Sequence, residues 1–129
     1  MNTLNIKREI SGSLEEGIAR ATQALAAEGF GILTRVDMHL RIKEKLDKTI
    51  IPTVVLGACH TGFAYQGYTL NSDLSGLVPC NAVIRELAPG RLSVEFVKPS
   101  ALIQLLDDAR LTELAREGDA ALARALKNL

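Results

Sequence analysis

Apolar positions along the chain follow two rhythms. In LNIKREI, Leu4, Ile6 and, after a slip, Ile10 alternate with polar residues, the pattern of a half-buried first strand. Leu14, Ile18, Ala21 and Leu25 then recur at helical spacing. Ser13 with Glu16 forms a capping box at the start of this helix, and Gly29 supplies its left-handed stop, so the spacing predicts a helix over 14–28. FGILTRV reads as a second strand, followed by a short helix capped by Asp37 with Met38, Ile42 and Leu46 on one face. IIPTVVLGA is apolar on both faces and reads as a central third strand, with Pro52 near its start where a missing donor costs least. A helix over 61–70 follows, and Asn71-Ser72-Asp73 ends it.

CNAVIREL and RLSVEFV flank Ala88-Pro89-Gly90, two alternating runs around a turn, hence a hairpin. Pro99 opens a further helix, where its missing amide is harmless, and Asp107-Asp108 interrupt it. The last helix carries Leu111, Leu114, Ala115, Gly118, Ala121, Leu122 and Ala125 on one stripe. The final hairpin argues against a purely parallel sheet. The expected architecture is α+β: one domain over 1–129, a largely antiparallel sheet with helices packed on one face.

Composition changes the picture mainly by exclusion. The 129 residues carry 15 Lys and Arg against 15 Asp and Glu, a formal net charge of zero. Nucleic-acid binding through excess positive charge is therefore not expected. The basic stretch RIKEKLDK alternates its cations with Glu44 and Asp47 and reads as a solvated helix face. No apolar run reaches the roughly 20 residues needed to span a bilayer, and the first residues lack a signal-peptide core, so neither a membrane partner nor export is expected, and a cytoplasmic location is. In such a compartment Cys59 and Cys80 are expected as thiols. The small-residue stripe of the last helix permits close approach of a second helix, and a homo-oligomer, most simply a dimer, is expected from it.

The chemistry-bearing residues gather where the third strand ends. In VVLGACHTGFAYQGY an apolar run stops at Cys59-His60-Thr61, and Cys80-Asn81 opens the next strand. Thr61 is expected to cap the following helix, placing Cys59 beside free amides and a favourable dipole, with a thiol pKa below the ordinary value of about 8.5. The cysteines are 21 residues apart, far from any Cys-x-x-Cys spacing. Two buried hydrophobic thiols, a redox pair and a shared ligand site all remain open. A zinc or copper site would need Cys59, Cys80 and His60 with a fourth group such as Asp37 or water; nothing in the spacing demands one, and neither a metal nor a cofactor is expected. His39 reads as an exposed helix histidine. The glycines of GACHTG lack the lysine of a phosphate loop, although an anion at the helix start is conceivable through free amides. Tyr65, Tyr68 and Phe63 supply core packing or line a small pocket. No Ser-His-Asp arrangement and no carboxylate pair can be argued, so no catalytic residue is assigned and enzymatic activity stays open.

Three segments together carry a resemblance: EGFGILTRVD, LGACHTGFAY and GLVPCNAVI. They resemble the domain-of-unknown-function 302 family, whose pattern runs from a Gly-(Phe/Ile)-Gly strand through Leu-Gly-Ala-Cys-Asn-Pro to Leu-Pro-Cys-Asn, over about residues 6–99. The resemblance implies a fold similar to that of the TATA-binding protein, a curved antiparallel sheet with two principal helices, and no assigned activity. Where the family has Asn-Pro after the first cysteine, this chain has His60-Thr61. The site expected from these readings holds a small molecule or anion among Cys59, His60, Thr61, Tyr65, Cys80 and Asn81. A thiol redox or sulfur-handling protein using the two cysteines, and an interaction protein without chemistry, are the alternatives.

Overall fold

The structure is a computed structural model, and it describes residues 4–129. Five strands, β1 (Asn5–Ser11), β2 (Gly31–Asp37), β3 (Thr53–Cys59), β4 (Cys80–Ala88) and β5 (Arg91–Val97), form one sheet in the order β1-β5-β4-β3-β2, every neighbouring pair antiparallel. The chain is thus an α+β protein with an antiparallel sheet, as its pattern predicts. The strands β2 to β5 run as a meander. β1 closes the far edge against β5, and helix α1 (Leu14–Ala27) carries the chain from that edge to the other.

The core lies on one side of the sheet. Alternate residues of the central strands, Val54 and Leu56, Ala82 and Ile84, Leu92, Val94 and Phe96, are buried there against Ile18, Ala21 and Leu25 of α1. Helix α5 (Thr112–Lys127) lays Ala121, Leu122 and Ala125 on the same core. The capping box at Ser13 is complete: Ser13 Oγ accepts from the Glu16 amide at 3.1 Å, and Glu16 Oε1 accepts from the Ser13 amide at 3.0 Å. Arg8 of β1 donates to the free carbonyls of Leu126 and Lys127 at 3.0 and 2.9 Å, which ends α5 against the sheet edge.

Three expectations change. The small-residue stripe of α5 is used inside the chain: Ala115, Gly118, Ala121 and Ala125 are all buried, and Gly118 lies so close to Pro99 that a Cβ there would sit 3.0 Å from the ring. It offers no helix face to a second copy. Asp37 makes no cap to α2 (Met38–Leu46), because Arg35 takes both of its carboxylate oxygens. His39 is half-buried rather than exposed, its Nδ1 accepting from the Thr53 amide at 3.0 Å, so it pins α2 to β3.

The other side of the sheet carries a buried acid. Strand alternation turns Ser93 and Glu95 away from the helices, yet Glu95 is only 3% exposed. Arg85 and Asn5 bond its carboxylate, and Lys7 Nζ lies 3.8 Å away. Desolvating a carboxylate demands such partners.

Candidate functional site

The apolar run of β3 ends because His60 leaves the sheet to cap a helix. Helix α3 (Thr61–Leu70) has His60, not Thr61, as its N-cap: His60 Nδ1 accepts from the Phe63 amide at 3.1 Å. An accepting Nδ1 leaves the ring proton of the neutral imidazole on Nε2. The ring is held flat on Phe63, with centroids 3.9 Å apart, and edge-on to Phe30 at 5.4 Å. Its Nε2 edge abuts Gly29, where a Cβ would approach to 2.7 Å, and Gly29 also has φ of +87°. Both demands exclude any residue but glycine. His60 thus serves as the cap, and its ring adds an aromatic contact.

Beside this cap an apolar cleft opens, of about 60 Å³. Its floor is the end of β3 and the start of β4, through Ala58, Cys59 and Cys80. Phe63 and Ala64 of α3 form one wall. Leu74, from the 3-10 segment Ser72–Leu77, and Val78 form the next, and Pro99 and Ile103 of α4 (Pro99–Ile103) with Leu114 and Gly118 of α5 complete it. Gly67 is buried under Leu74 and lets that segment pack onto α3.

Of the six residues expected at the site, Cys59, His60 and Cys80 line this cleft. Thr61 is exposed as the first residue of α3. Asn81 is exposed opposite Gly57. Tyr65 is 72% exposed and lines a neighbouring hollow instead. Cys80 lies opposite Ala58 in the β3–β4 register, so the cysteines are neighbours across the strand pair on alternate sides of the pleat. Burial pushes the Cys80 thiol up to about 11 from an ordinary value of 9.0, and the nearby Cys59 and Asp119 add to the rise. The cleft holds Cys80 as a protonated, apolar thiol. Both cysteines are free thiols. Among the described residues, no group of three or more His, Cys, Asp or Glu side chains could hold a metal ion, and no helix is long and apolar enough to cross a membrane.

The sequence reading missed most of the lining. Pro99, Ile103 and Leu114 come from segments distant in sequence from the cysteine motifs, while Val78 lies within GLVPCNAVI and Leu74 just before it, and no local pattern marks any of them as lining. The one available signal was Gly118, whose lack of a side chain admits Pro99 beside α5.

The fold and cleft define an α+β protein whose two cysteine motifs meet in an apolar hollow at the end of the sheet. The family description "Domain of unknown function DUF302" matches residues 6–129, and the chain belongs to that family. It is similar to a solved structure described as an uncharacterized conserved protein DUF302 from Bacillus stearothermophilus, with 25% identity, 98% of each chain covered and a TM-score of 0.90. Among curated proteins, none matches the chain.

Proposed function

We propose that the protein is a small-ligand binding module whose site is the apolar cleft at Cys59, His60 and Cys80. The observation that carries this reading is the cleft itself: a concave hollow open to solvent, walled by side chains from β3, β4, α3, α4 and α5. Its lining favours an apolar ligand over an anion. The Phe63 amide, which would have served an anion at the start of α3, is already taken by His60. Redox use of the cysteines has less support. Burial favours the Cys80 thiol over the thiolate, the form that would attack a disulfide.

Xenon, a small apolar sphere, tests the cleft directly. Under xenon pressure, the methyl resonances of Val78, Ile103 and Leu114 are expected to shift saturably, and Ala64→Phe, which fills the hollow, to abolish the shifts. Methyl shifts of Ala64→Phe equal to those of the native chain would overturn the reading.

Self-association is a second reading, favoured by a different surface from the one the sequence suggested. Helix α2 buries none of its residues, and Met38, Leu40 and Leu46 are exposed on it, next to exposed Leu33 and Val36 of the edge strand β2. Its test is set out at the end of the Discussion.

A further inference from the structure

Beside the cleft lies a second open hollow, of about 280 Å³, lined by Tyr65, Tyr68 and Ser75. Ala64, Leu74 and Val78 line both hollows, so the two adjoin along one rim. Tyr65 and Tyr68 stand one helical turn apart on α3 and are 72% and 55% exposed. Exposed aromatic rings with hydroxyl tips offer apolar faces and neutral hydrogen-bonding groups together.

The chain that builds this surface, together with the buried strands on either side of it, is poor in charge. From Thr49 to Ile84 the chain has one charged residue, Asp73, and no lysine or arginine. At the chain's 23% charged fraction, this stretch of 36 residues would hold about eight charges. The outer surface of α3 is thus built from Thr61, Gln66, Thr69 and the two tyrosines, exposed and uncharged. Among the described residues, no Lys, Arg, Asp or Glu lines either hollow, and Asp108, which bonds Asn71 at the end of α3, is itself paired with Arg110, so a charged headgroup would find no partner in the lining.

We infer that the ligand is an elongated, uncharged amphiphile, such as a medium-chain alcohol, ketone or ester. Its apolar end occupies the cleft beside Cys80, and its body crosses Ala64 and Val78 to lie on Tyr65 and Tyr68. The inference rests on the cleft reading above and adds the ligand's length, its neutrality and two contact residues. The tyrosine hydroxyls hydrogen-bond the neutral polar group, and the rings cover the chain behind it.

Butanol, octanol and octanoate, titrated at about pH 8 so that octanoate is ionised, separate the possibilities, with xenon as the probe of the cleft alone. Octanol is expected to bind at least about tenfold more tightly than butanol, a low figure for burying four more methylenes. Octanoate is expected to bind at least about tenfold more weakly than octanol, because its charge is desolvated without a partner. Tyr68→Ala and Tyr65→Ala should each weaken octanol several-fold while leaving xenon shifts unchanged, which also shows that the variants are folded. Tyr68→Phe should retain the chain-length gain and lose part of the preference for the alcohol. Xenon binding with equal affinities for octanol and butanol would overturn this inference and leave the cleft standing. Octanoate binding as tightly as octanol would overturn the neutrality, and octanol affinity indifferent to both tyrosines would overturn the path. Absence of saturable xenon shifts would remove the cleft reading and this inference with it.

Discussion

His60 shows how a single residue can look like chemistry and serve structure. Its Nδ1 is committed to the Phe63 amide, and its ring is packed between Phe63, Phe30 and Gly29. His60→Ala loses the cap and a stacked ring, and about 1–2 kcal/mol of stability is expected to go with them. His60→Asn restores the cap acceptor and should recover roughly half of that loss in urea unfolding; equal losses for the two variants would mean that the hydrogen bond contributes nothing. Cys80 makes the complementary case. Its thiol pKa is raised to about 11, so the thiolate is scarce at neutral pH. In a Cys59→Ser background, iodoacetamide labelling of native Cys80 is expected to be slow at neutral pH. It should climb about tenfold per pH unit without levelling through about pH 9. The same shift has a stability consequence. The unfolded chain ionises first, so Cys80's contribution is fully present below about pH 9 and is lost as pH rises through about 11. A labelling plateau near pH 8 would contradict the burial.

At the scale of the element, local chemistry decides what is legible. The capping box at Ser13 is written in four consecutive residues, and the structure forms both of its bonds. Ser13→Ala should cost about 1 kcal/mol in urea unfolding and leave xenon binding at the distant cleft unchanged. Helix α3 was legible over its full length, but its cap was not, because histidine is a rare N-cap and threonine beside it a common one. The 3-10 segment Ser72–Leu77 was invisible: it follows α3 through the Asn71 side chain, which accepts from the Asp73 amide at 3.0 Å, and it is held by Leu74 packing over Gly67. That contact joins two elements, so no single window of sequence contains it. Glu95 was hidden for a similar reason. Its alternation marks a solvent-facing position, and only the neighbouring strands reveal that Arg85, Lys7 and Asn5 close over it. Arg85→Met strands the buried carboxylate with the exposed Lys7 and with Asn5. A loss of about 2–3 kcal/mol is expected, below the usual cost of breaking a buried pair because Arg85 is partly solvated. Adding Glu95→Leu should return most of it. A double variant as unstable as Arg85→Met alone would show that the carboxylate is not what suffers.

The order of the strands belongs to the whole molecule, and it decides which surfaces are left open. The sequence pattern marks five strands but does not say that β1 pairs with β5, a contact that crosses most of the chain. That pairing makes β1 and β2 the two edges, and they are protected very differently. β1 presents Lys7, Arg8 and Glu9 in succession, and charge on an edge discourages further pairing. β2 has one cation, Arg35, and it is engaged by Glu15 and Asp37. A bulge between Ile32 and Thr34 turns Leu33 out to 60% exposure, and Val36 is 44% exposed. Helix α2 follows β2 directly, buries none of its residues, and also exposes Met38, Leu40 and Leu46. An edge strand that pairs with its own copy about a two-fold axis needs no new shape, because an isologous contact is self-complementary. A stable dimer hides roughly 800 Å² per partner, about a tenth of the 7405 Å² this chain exposes. Light scattering at micromolar concentration is therefore expected to give about twice the 13.9 kDa of one chain. Leu33→Lys should return the protein to a single chain with little change in unfolding of the monomer, since Leu33 packs into no core. Gly118→Ala, on the stripe of α5 that the sequence first offered for this role, should lower stability by crowding Pro99 and leave the association intact. A mass of one chain for the native protein, or a dimer indifferent to Leu33→Lys, would leave β2 as an unpaired edge.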